Sequence, residues 1–324
     1  KCDLCGKDII SVYHKDVPFP VYCQKCWWSD KWDPMEYGRD YDFNKPFFEQ
    51  FDKLMKEIPW PSLSNENNIN SEYVNYTSDS KNCYLVFAAG ADGGNEDTFY
   101  GYRIDRCRNC LDINFSFNCE LCYQCSNITN CSRVFFSRYV ENTYDSMFLF
   151  DCKNCSNCFG CVNLRNKQYY FFNTPLSKGE YFKKIKELNL GSYQNLLTIS
   201  KKFINFLNNF PRKYANISKS INVTGEDIRN SKDCLNCFYL KESENCKNIL
   251  WGAKDRDCFD GIAVTSTELC YDSVAAIRSS DVKFSMISLE GRDLDYCFWC
   301  HSSSNLFGCI GLRHKQYCIL NKQY

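Results

Sequence analysis

The sequence predicts a mainly β protein. It is built as a duplicated β-solenoid of about 22 residues per coil, with short helical caps and a small cysteine-rich domain in front. Three observations predict this. The run FGCVNLRNKQYYFFN at 159–173 returns as FGCIGLRHKQYCILN at 307–321, an offset of 148 residues (307 minus 159). Short apolar runs recur about every 11 residues between 79 and 173, separated by Asn, Asp, Ser and Cys, and a doubled period near 22 aligns better. Short strands with turn residues at fixed offsets are the pattern of stacked coils. The third observation is a pair of CxxC motifs that opens the chain.

Bulk composition narrows the class. A chain of 324 residues suggests two or three domains, and 44% apolar residues can fill a large core. Lys plus Arg and Asp plus Glu both number 39, so the formal net charge is zero. That lacks the basic footprint of a dedicated nucleic-acid binder. No apolar run approaches the roughly 20 residues that span a bilayer. The 24 Cys are exceptional. In a long chain with an ample core and zinc-spaced cysteines they point to a reducing cytoplasm more than to a secreted disulfide framework. The sequence begins at Lys1, without an initiator Met or a signal-peptide pattern.

The first domain is assigned to residues 1–30. Cys2 and Cys5 form one CxxC, Cys23 and Cys26 the second. Each CxxC turn presents two thiolates on one side, and two such turns complete a tetrahedron, the arrangement of a four-Cys zinc ribbon. Gly6 follows the first pair, where the turn needs positive φ. Four protein ligands leave no open position, so a structural zinc is expected. His14, between the knuckles, reads as a loop residue. Residues 31–61 follow as an aromatic and acidic docking segment with a helix. Asn44 and Pro46 start the helix, Phe47, Phe51, Leu54 and Ile58 share one face, and Pro59 and Pro61 end it.

The first solenoid is assigned to 62–173. Its cysteines are explained by burial, since free Cys is a small, readily buried residue. Cys110, Cys131 and Cys152, spaced by 21, are expected to be stacked thiols. Disulfides remain an alternative, as does a cluster site in CKNCSNCFGC (Cys152, Cys155, Cys158, Cys161). Phe159 and Phe307 are expected to point inward, with Cys161 and Cys309, and Gly160 and Gly308 to lie on the opposite side of the strand. Residues 174–212 form a helical pair. Ser177 and Glu180 make a capping box, and Gly191 and Ser192 separate the helices. The second solenoid occupies 213–324. It stops at Tyr324, where the first copy runs on into its helices, so it is expected to be truncated, uncapped and prone to fray.

Chemistry is thinly supplied. The repeated LRxKQY places Arg165, Lys167 and Gln168 in one copy and Arg313, Lys315 and Gln316 in the other. These could contact an anion or a sugar; the plainer account is that they build the last coil and its junction with the cap. Asp255, Asp257, Asp260, Arg292 and Asp293 could form an acidic and basic patch of the kind used by solenoid enzymes that cleave polysaccharides. Cys300 and His301 are neighbours, not a positioned pair. No glycine loop for phosphate is present.

CDLCGKDIISVY, WWSDKWDPMEYGRDYDFNKPFFEQF and the paired FGCxxLRxKQY runs resemble an uncharacterised family of zinc-ribbon, cysteine-rich repeat proteins from small-celled bacteria known mainly from metagenomes. The resemblance covers nearly the whole chain. It implies the ribbon and the repeats and brings no established activity. The reading is a non-enzymatic binding or scaffold protein with an unidentified protein or glycan partner. The alternatives are a carbohydrate-binding or carbohydrate-active solenoid and a nucleic-acid-associated ribbon protein, the last drawing on Lys1, Lys7, Lys15 and Lys25.

Overall fold

The computed structural model describes residues 1–90, 93–247 and 279–324. The chain divides into two compact units: a central unit, Leu63–Arg212, and a ribbon unit that joins Lys1–Ser62 to Lys213–Tyr324. Both are built on parallel β-coils, and the solenoid expected from the sequence is present. Its coil is shorter than expected. Leu111 pairs with Tyr123, Ile113 with Cys125 and Phe117 with Thr129, a step of 12 residues instead of about 22. Val282, Leu294, Leu306 and Cys318 repeat that step in the ribbon unit. Among the described residues, the turn with Tyr84 opposite Phe99 is three residues longer, and the turn with Ile221 opposite Lys232 is one shorter.

The local rule beneath the coil is a triplet. Every third residue is left-handed, as in Asn109, Asp112, Phe115, Asn118 and Leu121, with φ between 49° and 54°. The residue after each left-handed corner points inward, so Cys119, Cys122, Cys125 and Ile128 line the four sides of one coil and all are buried. CxxC spacing therefore means adjacent sides of one coil. Asn and Asp tolerate the left-handed corner best among residues with a Cβ, because their short side chains bond locally. At one corner they also bond across coils. The amides of Asn118, Asn130, Asn142 and Asn154 each donate to the next Asn of the ladder, ending at Asn166, over 2.9–3.1 Å.

Side length explains the cysteines. Three extended residues span about 10 Å, so four inward side chains must fill a narrow square. Cys, Ser, Thr, Val and Ile fit it. The thiols and hydroxyls also bond the backbone. Cys110 Sγ donates to the carbonyls of Arg108 (3.2 Å) and Cys119 (3.7 Å), and Ser116 Oγ to that of Asn114 (2.9 Å). The cysteines of the described residues are free. Cys110, Cys131 and Cys152 are buried and unbridged, as expected, but they do not stack on one another: at a 12-residue step a spacing of 21 puts them on different sides of their coils, with Cys152 beside Val140. Cys152, Cys155, Cys158 and Cys161 lie on successive sides of one coil, and the described residues gather no set of four thiols there.

In the central unit, two helices cover the last coils. Helices α1 (Gln24–Trp27) and α2 (Phe47–Glu57) belong to the ribbon unit; α3 (Lys178–Glu187) and α4 (Tyr193–Leu207) to the central one. The capping box at α3 is formed, with Ser177 and Glu180 bonded reciprocally. Ser192 caps α4 through the amide of Asn195 at 3.4 Å. Phe148, Phe159, Tyr181, Ile199 and Phe203 make the buried contact.

In the ribbon unit, α2 and the segment before it pack on the second solenoid. Pro46 occupies the cap position of α2 without a side-chain bond, and Phe47, Phe51, Leu54 and Ile58 meet Tyr296, Phe298, Ile310 and Leu320. The expectation of an uncapped second copy is therefore corrected. Its last coils carry a helix, supplied from the N-terminal side of the sequence. Phe159 and Phe307 are matched as expected but are not inward. Each follows an inward residue, Cys158 or Leu306, and lies outside the coil: Phe159 beneath α3 and α4, Phe307 against Phe47 at a ring separation of 4.5 Å. Cys161 and Cys309 do point inward. Gly160 and Gly308 are left-handed corners (φ +65° and +60°), where a Cβ would meet the ring of Phe172 at 2.9 Å or Phe47 at 2.6 Å.

Candidate metal centre and its surroundings

The four N-terminal cysteines converge. The sulfurs of Cys2, Cys5, Cys23 and Cys26 all lie within 4.8 Å of one another. Local backbone bonds build the first knuckle: Gly6 N donates to Cys2 O and Cys2 N to Lys7 O, both at 2.8 Å, with Gly6 at φ +72°. The Cys23 amide donates to Cys2 Sγ at 3.2 Å, which ties the second knuckle to the first. Asp3 fixes the incoming strand by accepting from Val21 N at 2.6 Å. Burial pushes the Cys2 thiol up, but amide bonds from Cys23, Cys5 and Leu4 outweigh it and bring the group to about 6. Cys26 is pushed up to about 12, first by burial and then by the neighbouring sulfurs. Soft sulfur donors at this spacing suit a tetrahedral metal ion, and four of them close the coordination shell. His14 is exposed beside Asp16, as a loop residue would be.

The centre is wired to the second solenoid through the residues that follow it. Trp27, next to Cys26, is fully buried and packs on Trp32 and Trp299 at 4.7 and 6.2 Å. Arg313 donates through Nη2 to the Trp27 carbonyl and lies over the rings of Trp28 (4.5 Å) and Trp27 (5.4 Å). Cation–π contact of this kind holds the guanidinium where burial draws its pKa down. Gly311 leaves room for Trp27, since a Cβ would sit 3.2 Å from its ring. Asn321 then closes the coil. It accepts from Ile310 N at 2.8 Å and donates to the carbonyls of Ile310 (2.8 Å) and Pro34 (2.9 Å). Asn173 does the same for Val162, without the third bond. Lys322 pairs with Asp40 beside it.

The other candidate residues do not assemble into a site. Arg165 pairs with Asp151 (2.6 Å) and with the carbonyls of Asp151 and Leu164. Lys167 lies over the Tyr170 ring at 5.7 Å, and Gln168 begins the strand Gln168–Phe171. Lys315 uses its amide on Ser303 Oγ (3.1 Å), and the Gln316 carbonyl accepts from Gln323 Nε2 (3.2 Å). The two triplets belong to different units. Cys300 points inward and His301 outward, stacked near Trp28 at 5.4 Å. Arg292 and Asp293 pair with each other at 3.2 Å; Asp255, Asp257 and Asp260 lie outside the described residues. Lys1, Lys7, Lys15 and Lys25 are all exposed, interleaved with Asp3, Asp8 and Asp16.

One feature is hidden at periods of 11 and 22 residues. Tyr84, Phe99, Leu111, Tyr123, Phe135, Met147, Phe159 and Phe171 stand opposite one another on successive coils, forming a single outward apolar ladder in the central unit. A 12-residue step reveals it from Phe99 onward.

No family model matches this chain, and no curated protein does. Among solved structures it is similar to a provisionally assigned acetyltransferase of Desulfovibrio desulfuricans G20, at 10% identity and a TM-score of 0.15. The match covers 74% of this chain and 64% of that one, just under two thirds of its length. That likeness says nothing about what this chain does.

Proposed function

We propose that the protein is a non-enzymatic binding scaffold, with a structural zinc ion held by Cys2, Cys5, Cys23 and Cys26. The observation that carries this reading is the outward apolar ladder, covered by helices at one end and exposed at the other. In this reading the metal stiffens the knuckles, which present Trp27 to Trp299 and Arg313. Zinc is favoured over other ions because an all-thiolate tetrahedral set suits it and a structural role needs no redox chemistry. The free thiols of the described cysteines support a reducing compartment. No helix among the described residues is long and apolar enough to cross a membrane.

Metal analysis tests the zinc. Reduced protein purified without added metal should carry one zinc per chain. Cobalt exchange should give the thiolate charge-transfer bands of a tetrahedral site, and Cys5→Ser should weaken both signals. Protein that is folded and free of metal would refute the centre. A screen against glycoside and acyl-ester substrates that found turnover would refute the non-enzymatic reading.

A further inference from the structure

We infer that the exposed part of the ladder, from Tyr84 to Tyr123, is the docking site for an amphipathic helix with an aromatic face, contributed by another polypeptide. The inference rests on the scaffold reading and names its partner class.

Continuity with the helix seats already in the protein comes first. The same ladder is covered at its far end, where Phe159 is 1% exposed beneath α3 and α4. The equivalent corner of the second solenoid, at Phe307 and Gly308, seats α2 through Phe47. Both seats take amphipathic helices that present Phe. Toward Tyr84 the ladder continues without a cover: Phe99 is 41% and Leu111 36% exposed. A groove of about 280 Å³ begins beside the seat, lined by Leu111, Leu121, Tyr123, Phe135, Arg133 and Asn109.

The second copy shows that the coil itself does not require these apolar residues. The positions 148 residues after Phe99, Phe135 and Met147 are Lys247, Lys283 and Asp295, each on a parallel register, while those matching Leu111 and Tyr123, Phe259 and Tyr271, lie outside the described residues. Coils of identical step thus stack with charged residues on this ladder, so the apolar stretch in the central unit calls for another cause. Apolar side chains left uncovered in a contiguous row, unlike single exposed ones, mark an interaction site.

Geometry selects a helix over a sugar chain. Tyr73, Tyr84 and Tyr100 meet edge to face, with ring centroids 5.5 and 6.0 Å apart. They form ridges and grooves, not the flat ring faces on which sugars stack. Coils rise about 4.8 Å each, close to the 5.4 Å helix pitch, so side chains at i, i+3/i+4 and i+7 can enter successive grooves. The four coils from Tyr84 to Tyr123 span about 14 Å. A helix the length of α2 spans about 16 Å.

The probes are two labelled peptides, residues 44–59 and 190–211, which contain helices the protein itself lays on such faces. Fluorescence anisotropy with the full chain should show saturable binding. Leu111→Glu and Leu121→Glu, both at exposed positions, should weaken it at least tenfold while leaving the melting temperature unchanged; Tyr193→Ser, on the exposed side of α4, should leave binding as it was. Three results would overturn the inference. One is no saturable binding by either peptide. Another is binding unaffected by both Glu variants, which would mean exchange with the resident α2 or α4. The third is ladder-dependent binding of cellohexaose in place of the peptides. Metal content is measured on the same samples, so a zinc-loaded protein that ignores the peptides refutes this inference and leaves the metal centre standing.

Discussion

Asn321→Ala should be among the most damaging single substitutions in the ribbon unit. The side chain is completely buried, sits at φ +62°, and makes three bonds. Its carboxamide substitutes for a further strand, pairing both backbone groups of Ile310 and tying Pro34 to the end of the coil. Alanine leaves one N–H and two carbonyls without that partner. At about 1–2 kcal/mol for each buried group, with about 1 kcal/mol for losing an Asn suited to the left-handed corner, the loss is about 4–7 kcal/mol. Asn173→Ala, which removes two bonds, should cost about 3–5 kcal/mol. Because the chain has two units, a single unfolding transition is not assured. Hydrogen exchange resolved by peptide is therefore the suitable assay. Asn321→Ala should accelerate exchange in 304–323 and 32–40 and leave 111–161 unchanged. If exchange in 304–323 changes by less than the equivalent of 1 kcal/mol, the side chain is not acting as the closing strand.

Three further predictions follow from the packing. Gly308→Val should displace α2, since a Cβ there meets Phe47 at 2.6 Å and valine strains a corner at φ +60°; a loss of about 2–4 kcal/mol is expected, read as faster exchange in 47–57. Alkylation of native apo protein should label Cys5 first and the interior thiols only after denaturation, because burial pushes a thiol such as Cys125 up to about 12; rapid native labelling of Cys125 would contradict this. The third concerns pH. Burial, then the charges of Arg313 and His314, draw His301 down to about 4 from 6.5. The unfolded chain therefore binds a proton first as pH falls, and the ribbon unit should lose up to about 3 kcal/mol between pH 6.5 and 4 through this group. His301→Gln should remove that portion, and equal pH slopes for both proteins would refute it.

Features whose cause is local are legible in the residues alone. The knuckles are legible because CxxC and Gly6 fix a turn within a few residues. The α3 cap is legible because Ser177 and Glu180 satisfy each other across one turn. The duplication and the burial of most thiols could be read for the same reason: repeated backbone geometry needs repeated residues. The coil length could not be fixed. The burial rule has a period of three, so Cys110, Cys131 and Cys152 satisfy it at a spacing of 21 without marking a coil, and the longer turn between Tyr84 and Phe99 breaks the beat where it would be counted. Which surface covers which depends on contacts between residues far apart in the chain. The apolar face of α2 states that something must bury Phe47 and Phe51, and the glycine at 308 that something comes close. Neither states that the two meet across some 260 residues. Apolar burial is non-directional and many surfaces would satisfy it. The pairing was settled by specific long-range contacts, Arg313 on the Trp27 carbonyl and Asn321 on Pro34, which exist only once the chain has folded back on itself.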